Sequence, residues 1–118
     1  MGGSVKVKIG GREFASKKGA VSYYMDLREA VKETGPLKDG EFFEELQDLY
    51  LRYCEATKFA LNGRVIYGFG VDYEPRQSGQ TWASHLCYWV HFSPKQKLSF
   101  SVREAVDAIV KAEAGDKL

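Results

Sequence analysis

The chain has 118 residues, 44% hydrophobic and 14% aromatic, the make-up of one folded domain; this excludes a disordered or low-complexity polypeptide. A formal net charge of +1 gives no strong overall pull toward nucleic acid or an acidic membrane, and two cysteines are too few for a disulfide framework. No run approaches the roughly 18 apolar residues of a membrane span. The opening MGGSVKVKIGG lacks the apolar core of a secretory signal, and Lys6 stands where a myristoylation pattern wants Ser or Thr. The protein is therefore expected in the cytoplasm or another intracellular compartment, with no membrane partner. Charge is unevenly spread: Lys6, Lys8, Arg12, Lys17 and Lys18 oppose only Glu13 near the start, whereas Asp39, Glu41, Glu44, Glu45, Asp48 and Glu55 cluster further on.

In chain order, Val5, Val7 and Ile9 alternate with lysines, a short amphipathic strand ending at Gly10-Gly11, with Arg12-Glu13-Phe14 able to continue it after a turn. Ser16 is placed to cap a helix whose apolar stripe is Ala20, Val21, Tyr24, Leu27 and Val31 and which Gly35-Pro36 stops. Asp39 is the expected cap of a second helix, with Phe42, Leu46, Leu49 and Tyr53 on one face and acids near its positive end. Asn62-Gly63 signals a turn.

From Arg64 to Glu74 the period changes to two, and a second alternating run spans Trp82 to Phe92; the intervening Pro75-Arg76-Gln77-Ser78-Gly79 reads as the loop of a hairpin. Pro94-Lys95-Gln96 turns into a third strand over Lys97 to Phe100. Ser101-Val102-Arg103-Glu104 has the spacing of a capping box before a last helix with Ala105, Val106, Ile109 and Val110 as its stripe, frayed from about Gly115. The order β-α-α-β-β-β-α predicts a single α+β domain over residues 1–118, an antiparallel β-meander packed on one face by helices.

Phe14-Ala15-Ser16-Lys17, Asn62-Gly63 leading to Ile66 and Val71, Cys87-Tyr88 and Phe100-Ser101-Val102-Arg103 occur in an order that resembles the DCL-like ("defective chloroplasts and leaves") domain family over most of the chain. The chain departs from that pattern at Tyr53-Cys54 and at Pro94-Lys95-Gln96. The resemblance implies an accessory module of nucleic-acid-processing systems: plastid ribosomal RNA processing, plant RNA polymerase subunits, and nucleases of microbes and phages. It implies no catalytic residues.

Lys17, Lys18, Arg64, Arg76, Lys95, Lys97 and Arg103 come from segment ends that a meander can gather, and such cations hold backbone phosphate without reading sequence. Scattered solvated charge is the competing reading. Ser16 and Ser101, at two helix N-termini, add backbone donors for an anion. Trp89 shares a strand face with His85, Cys87 and His91, as a base-stacking surface or as filler across Gly68 or Gly70. Strand geometry puts the two histidines about 20 Å apart, too far for one ion; only His85 and Cys87 could share a metal, and no further Cys/His pair completes a tetrahedral site, so no metal or other cofactor is expected. Gly68-Phe69-Gly70 lies inside a strand and lacks the context of a nucleotide fingerprint. The leading expectation is thus a non-catalytic domain that binds nucleic acid, RNA or single strands, through Lys17, Lys18, Arg64, Arg76, Trp89 and Arg103. The alternative is an adaptor that docks on a polymerase, a nuclease or another subunit through a sheet face or the acidic helix, with Glu41, Glu44, Glu45 and Asp48 as contacts.

Overall fold

The computed structural model describes residues 6–116. Its elements run β1 (Val7–Ile9), β2 (Arg12–Phe14), α1 (Lys17–Asp26), α2 (Arg28–Thr34), α3 (Glu41–Thr57), β3 (Gly68–Ser78), β4 (Thr81–Ser93), β5 (Gln96–Phe100) and α4 (Val102–Asp116). The α+β architecture follows the hydrophobic pattern: β3, β4 and β5 form an antiparallel meander, and Phe69, Val71, Tyr88, Val90 and Phe100 turn one face of it into the core beneath the helices. The opposite face carries Asp72, Glu74, Cys87, Trp89, His91 and Lys97, as the register dictates. Both cysteines are buried and unbridged.

The first strand is continued after its turn by Arg12–Phe14, in a two-stranded hairpin with Val7 opposite Phe14; Val5 lies outside the described residues. Five boundaries differ from the sequence expectation. The first helix is broken at Leu27 into α1 and α2. The physical reason is distant in sequence: the Arg28 guanidinium donates to the Met25 carbonyl at 2.9 Å and to the Leu86 carbonyl of β4 at 2.7 Å, which turns the chain so that α2 lies against the sheet. Gly40, at φ +96, replaces Asp39 as N-cap of α3 and offers no side-chain bond; Glu41 and Glu44 complement the helix dipole there.

The third strand starts at Gly68, not Arg64: before it Val65 is 77% exposed, while Ile66 packs against the core from outside the ladder. It also runs on through Pro75, so the expected five-residue loop is ladder, and the turn is Gly79-Gln80. Phe69 directs its N–H and C=O outward to Leu37, so Pro75, three alternations on, puts its missing donor on the outer edge and costs no ladder bond. Lastly, α4 continues to Asp116 into the stretch expected to fray; 117–118 lie outside the described residues.

The core is rich in aromatic contacts. Tyr24, Tyr88, Phe69, Ile9, Leu46, Leu49, Ile109, Val7, Val90 and Val106 are the largest fully buried side chains. The Tyr88 hydroxyl donates to the Tyr24 carbonyl at 2.6 Å, tying the meander to α1, and the Tyr24 hydroxyl donates to Glu45 of α3 at 3.0 Å. Beyond the helices the β3–β4 pair continues as an arm: residues 81–85 are all exposed, and Tyr73 and Trp82 extend the core face of the sheet, Tyr73 with Lys32 of α2 over its ring at 5.6 Å.

Candidate nucleic-acid interface

Two short polar signals position this site. The Ser16 hydroxyl accepts from the Gly19 N–H at 3.0 Å, and the Ser101 hydroxyl accepts from the Glu104 N–H at 3.2 Å, so α1 and α4 both start at capping serines. Val21 and Val106 pack the two helices together, and their first turns flank one groove of about 620 Å³. Lys17, Lys18 and Arg103 line it, together with Glu104 and Asp107. The fold thus gathers three of the six residues expected to bind nucleic acid.

The charges in the groove are not equivalent. Lys17 Nζ lies 3.0 Å from one Asp107 carboxylate oxygen, and Lys111 Nζ lies 2.9 Å from the other. The bonds from Lys111 and then Lys17 hold the Asp107 carboxyl below its ordinary range. Lys18 and Arg103 make no ion pair or side-chain hydrogen bond among the described residues, and both are exposed. Two cations are therefore free to meet an anion, and a third is shared with a carboxylate. Lys111 and Asp107 carry no motif, and their part here follows only from the packing of α4 on α1.

The other three expected contacts are elsewhere. Arg64 is a structural residue: its Nε donates to the Leu61 carbonyl at 2.8 Å, its Nη2 to the Ala60 carbonyl at 3.3 Å, and its guanidinium stacks on Phe92 at 4.6 Å. Arg76 occupies β3 opposite Ala83 on the arm, and its side chain lies outside the described residues. Trp89 lies half-buried on the sheet face opposite the core, with its indole N–H directed at the Asp72 carbonyl at 3.3 Å and Lys97 Nζ over its ring at 4.9 Å. The space over Gly70 is filled by His91, 3.2 Å from where a Cβ would stand, and not by Trp89. Burial and then Lys97 push the His91 imidazole down from its ordinary value.

The acidic helix is largely committed inward. Glu45 is 5% exposed and accepts from Arg12 and Tyr24. Asp48 Oδ2 accepts the Gly10 N–H at 2.9 Å and pairs with Arg52 at 3.0 Å. Only Glu41 and Glu44 of the four remain exposed. Burial pushes the Cys54 thiol up from its ordinary value, the opposite of what an activated nucleophile needs. No helix among the described residues is long and apolar enough to cross a membrane. Comparison with protein-family models, with curated proteins and with solved structures returns no match for this chain.

Proposed function

We propose that this protein is a non-catalytic accessory domain that binds nucleic acid along the groove between α1 and α4, within a nucleic-acid-processing system. The observation that carries the reading is the convergence of Lys17, Lys18 and Arg103 on one groove at two capped helix starts, with Lys18 and Arg103 unpaired among the described residues. Cations of this kind bind phosphate without reading bases, so affinity is expected to be modest, sequence-tolerant and salt-dependent. The resemblance to DCL-like domains favours RNA or single strands over duplex DNA.

Fluorescence anisotropy with labelled single-stranded RNA, single-stranded DNA and duplex at low and moderate salt tests it. Two to three phosphate contacts predict a log–log salt slope of roughly −1.5 to −2 on single strands. Lys18→Glu with Arg103→Glu should abolish most of the binding at low salt. Binding that is absent in low salt, or untouched by the double variant, overturns the proposal.

A second reading, a protein-interaction adaptor, draws support from the arm. Trp82 is 63% exposed and Tyr73 49%, on a face that elsewhere is core. Such exposed apolar surface suits a protein partner better than phosphate. The acidic-helix version of that reading is weakened, because Glu45 and Asp48 are spent on the N-terminal hairpin.

A further inference from the structure

On the other side of Glu104 from the groove just described lies a smaller pocket of about 350 Å³, between α3, the residues that follow it, and the end of β5. Its walls are unusual in composition: Tyr50, Tyr53, Phe59 and Phe100 supply four aromatic rings, Leu98 an aliphatic edge, and Glu104 the carboxylate. Tyr50 and Phe100 are buried, whereas Phe59 and Leu98 are exposed at 43% and 38%, so the rings grade from floor to rim. Tyr50 and Tyr53 stand with centroids 6.5 Å apart and planes at 77°. Tyr50 is held by Phe69, Phe92 and Phe100, so the near-perpendicular pair makes a fixed aromatic corner at the floor of the pocket, the kind of surface that attracts a cation.

We propose that this pocket binds an alkylated ammonium group, its methyl groups against the rings of Tyr50, Tyr53, Phe59 and Phe100 and its charge toward Glu104. An alkylated ammonium is a large, weakly hydrated cation, so it gives up little solvation on entering an aromatic site, unlike bare ammonium. Glu104 supplies the sign selectivity. Its backbone N–H is held by Ser101, but its carboxylate has no ion pair or hydrogen bond among the described residues. That charge is felt in the pocket: after burial, Glu104 is the next largest influence raising the Tyr53 hydroxyl. Arg64 is the cation to weigh against this. Its guanidinium lies over Phe59 at 5.7 Å and its charge acts to lower the Tyr50 and Cys54 groups at the pocket floor, but it does not itself line the pocket, and its Nε and Nη2 are directed to the carbonyls of residues 61 and 60. The occupant can be a free trimethylammonium compound or a methylated lysine side chain, since both present the same group.

The test is NMR titration of the full chain with choline, with the neutral isostere 3,3-dimethylbutanol, and with short peptides carrying trimethyl-lysine or unmodified lysine. Choline should perturb the Tyr53 and Phe59 ring signals saturably and bind roughly tenfold more tightly than its neutral isostere. Glu104→Gln, exposed and still able to sit at the third position of its helix, should weaken choline roughly fivefold and leave the isostere unchanged. Phe59→Leu should weaken both trimethylammonium ligands while the spectrum stays folded. A trimethyl-lysine peptide that outbinds choline identifies a protein side chain as the source; the reverse order identifies a small metabolite. Equal affinity for choline and its isostere, or saturation by neither choline nor the trimethyl-lysine peptide, overturns the proposal.

Discussion

Arg12 and Glu45, 33 residues apart, form a forked ion pair: Nε to Oε1 at 3.2 Å and Nη2 to Oε2 at 3.3 Å. Glu45 is almost fully buried, and the same Oε1 also accepts the Tyr24 hydroxyl. A single carboxylate thus joins β2, α1 and α3, and the Arg12 guanidinium lies over the Tyr23 ring at 4.7 Å as well. Removing one partner of such a set leaves a buried group unsatisfied, which costs more than the bond itself contributes. Glu45→Ala is expected to destabilise by about 2–3 kcal/mol and Tyr24→Phe by about 1 kcal/mol. Glu44→Ala, one residue away and exposed, should stay within about 0.5 kcal/mol of the native protein. Urea unfolding of the three variants, with unchanged m-values, checks the ordering; an equal effect of Glu44→Ala and Glu45→Ala would refute it.

The β1–β2 turn should be equally sensitive at one glycine. Gly10 has φ +57, and a Cβ there would stand 2.8 Å from the Glu45 Cα, while its N–H donates to Asp48. Gly10→Ala therefore meets both strained backbone and helix backbone, at a cost of about 2–4 kcal/mol. Gly11 has φ +93 but nothing within 4 Å, so Gly11→Ala should cost only about 1 kcal/mol. The difference in thermal midpoint between the two variants measures the close approach, and no difference means the hairpin can lift from α3.

What could be read along the chain were features decided by a few neighbouring residues. Ser16 and Ser101 cap helices as their spacing suggests, and Asn62-Gly63 turns the chain with φ of +55 and +79, because each depends on local bonds. The break at Leu27 could not be read, since its cause is the Leu86 carbonyl of another strand. The acids of α3 looked like an interaction surface because their partners, Arg12 and the Gly10 N–H, lie more than 30 residues earlier. The packing of Arg64 is hidden for a related reason: a guanidinium stacked on Phe92 and one reaching solvent have the same local sequence. Lys17, Lys18 and Arg103 were legible because residues beside a cap must sit at a helix start, though that the two starts adjoin follows only from packing.

Alkaline pH should unfold the protein through its tyrosines. Burial raises the hydroxyls of Tyr24, Tyr50 and Tyr88 above their ordinary value, and for Tyr24 the Glu45 charge adds to it. Below roughly pH 10 these groups are protonated in both folded and unfolded chains and give no pH dependence. Above it the unfolded chain releases protons that the folded chain keeps, so stability falls as pH rises. Tyrosinate absorbance should show the buried tyrosines ionising only together with loss of near-ultraviolet dichroism. Their smooth titration in a still-folded protein would contradict this burial.

Asp107 is the carboxylate that competes for the cations at the groove between α1 and α4. Its carboxylate draws Lys17 and Lys111 to itself, at 3.0 and 2.9 Å, and so withholds both from any phosphate. Asp107→Asn releases them, so binding of single-stranded RNA should tighten, and the salt slope should steepen by roughly 0.7 for each cation that gains a phosphate. Acid should mimic the substitution with a defined sign. Because both lysines hold the carboxyl below its ordinary range, the pairs are fully formed above that range and are lost as pH falls through the lowered value. Native affinity should therefore be flat from neutral pH down to the ordinary carboxylate range and rise only below it, while Asp107→Asn shows no such rise. The same acidification removes the small stability the pairs contribute, so circular dichroism at each pH must show a folded chain. If Asp107→Asn leaves RNA affinity and salt slope unchanged while Lys18→Glu still weakens binding, phosphate sits against the α1 start alone. If neither variant changes binding, the groove is not the interface.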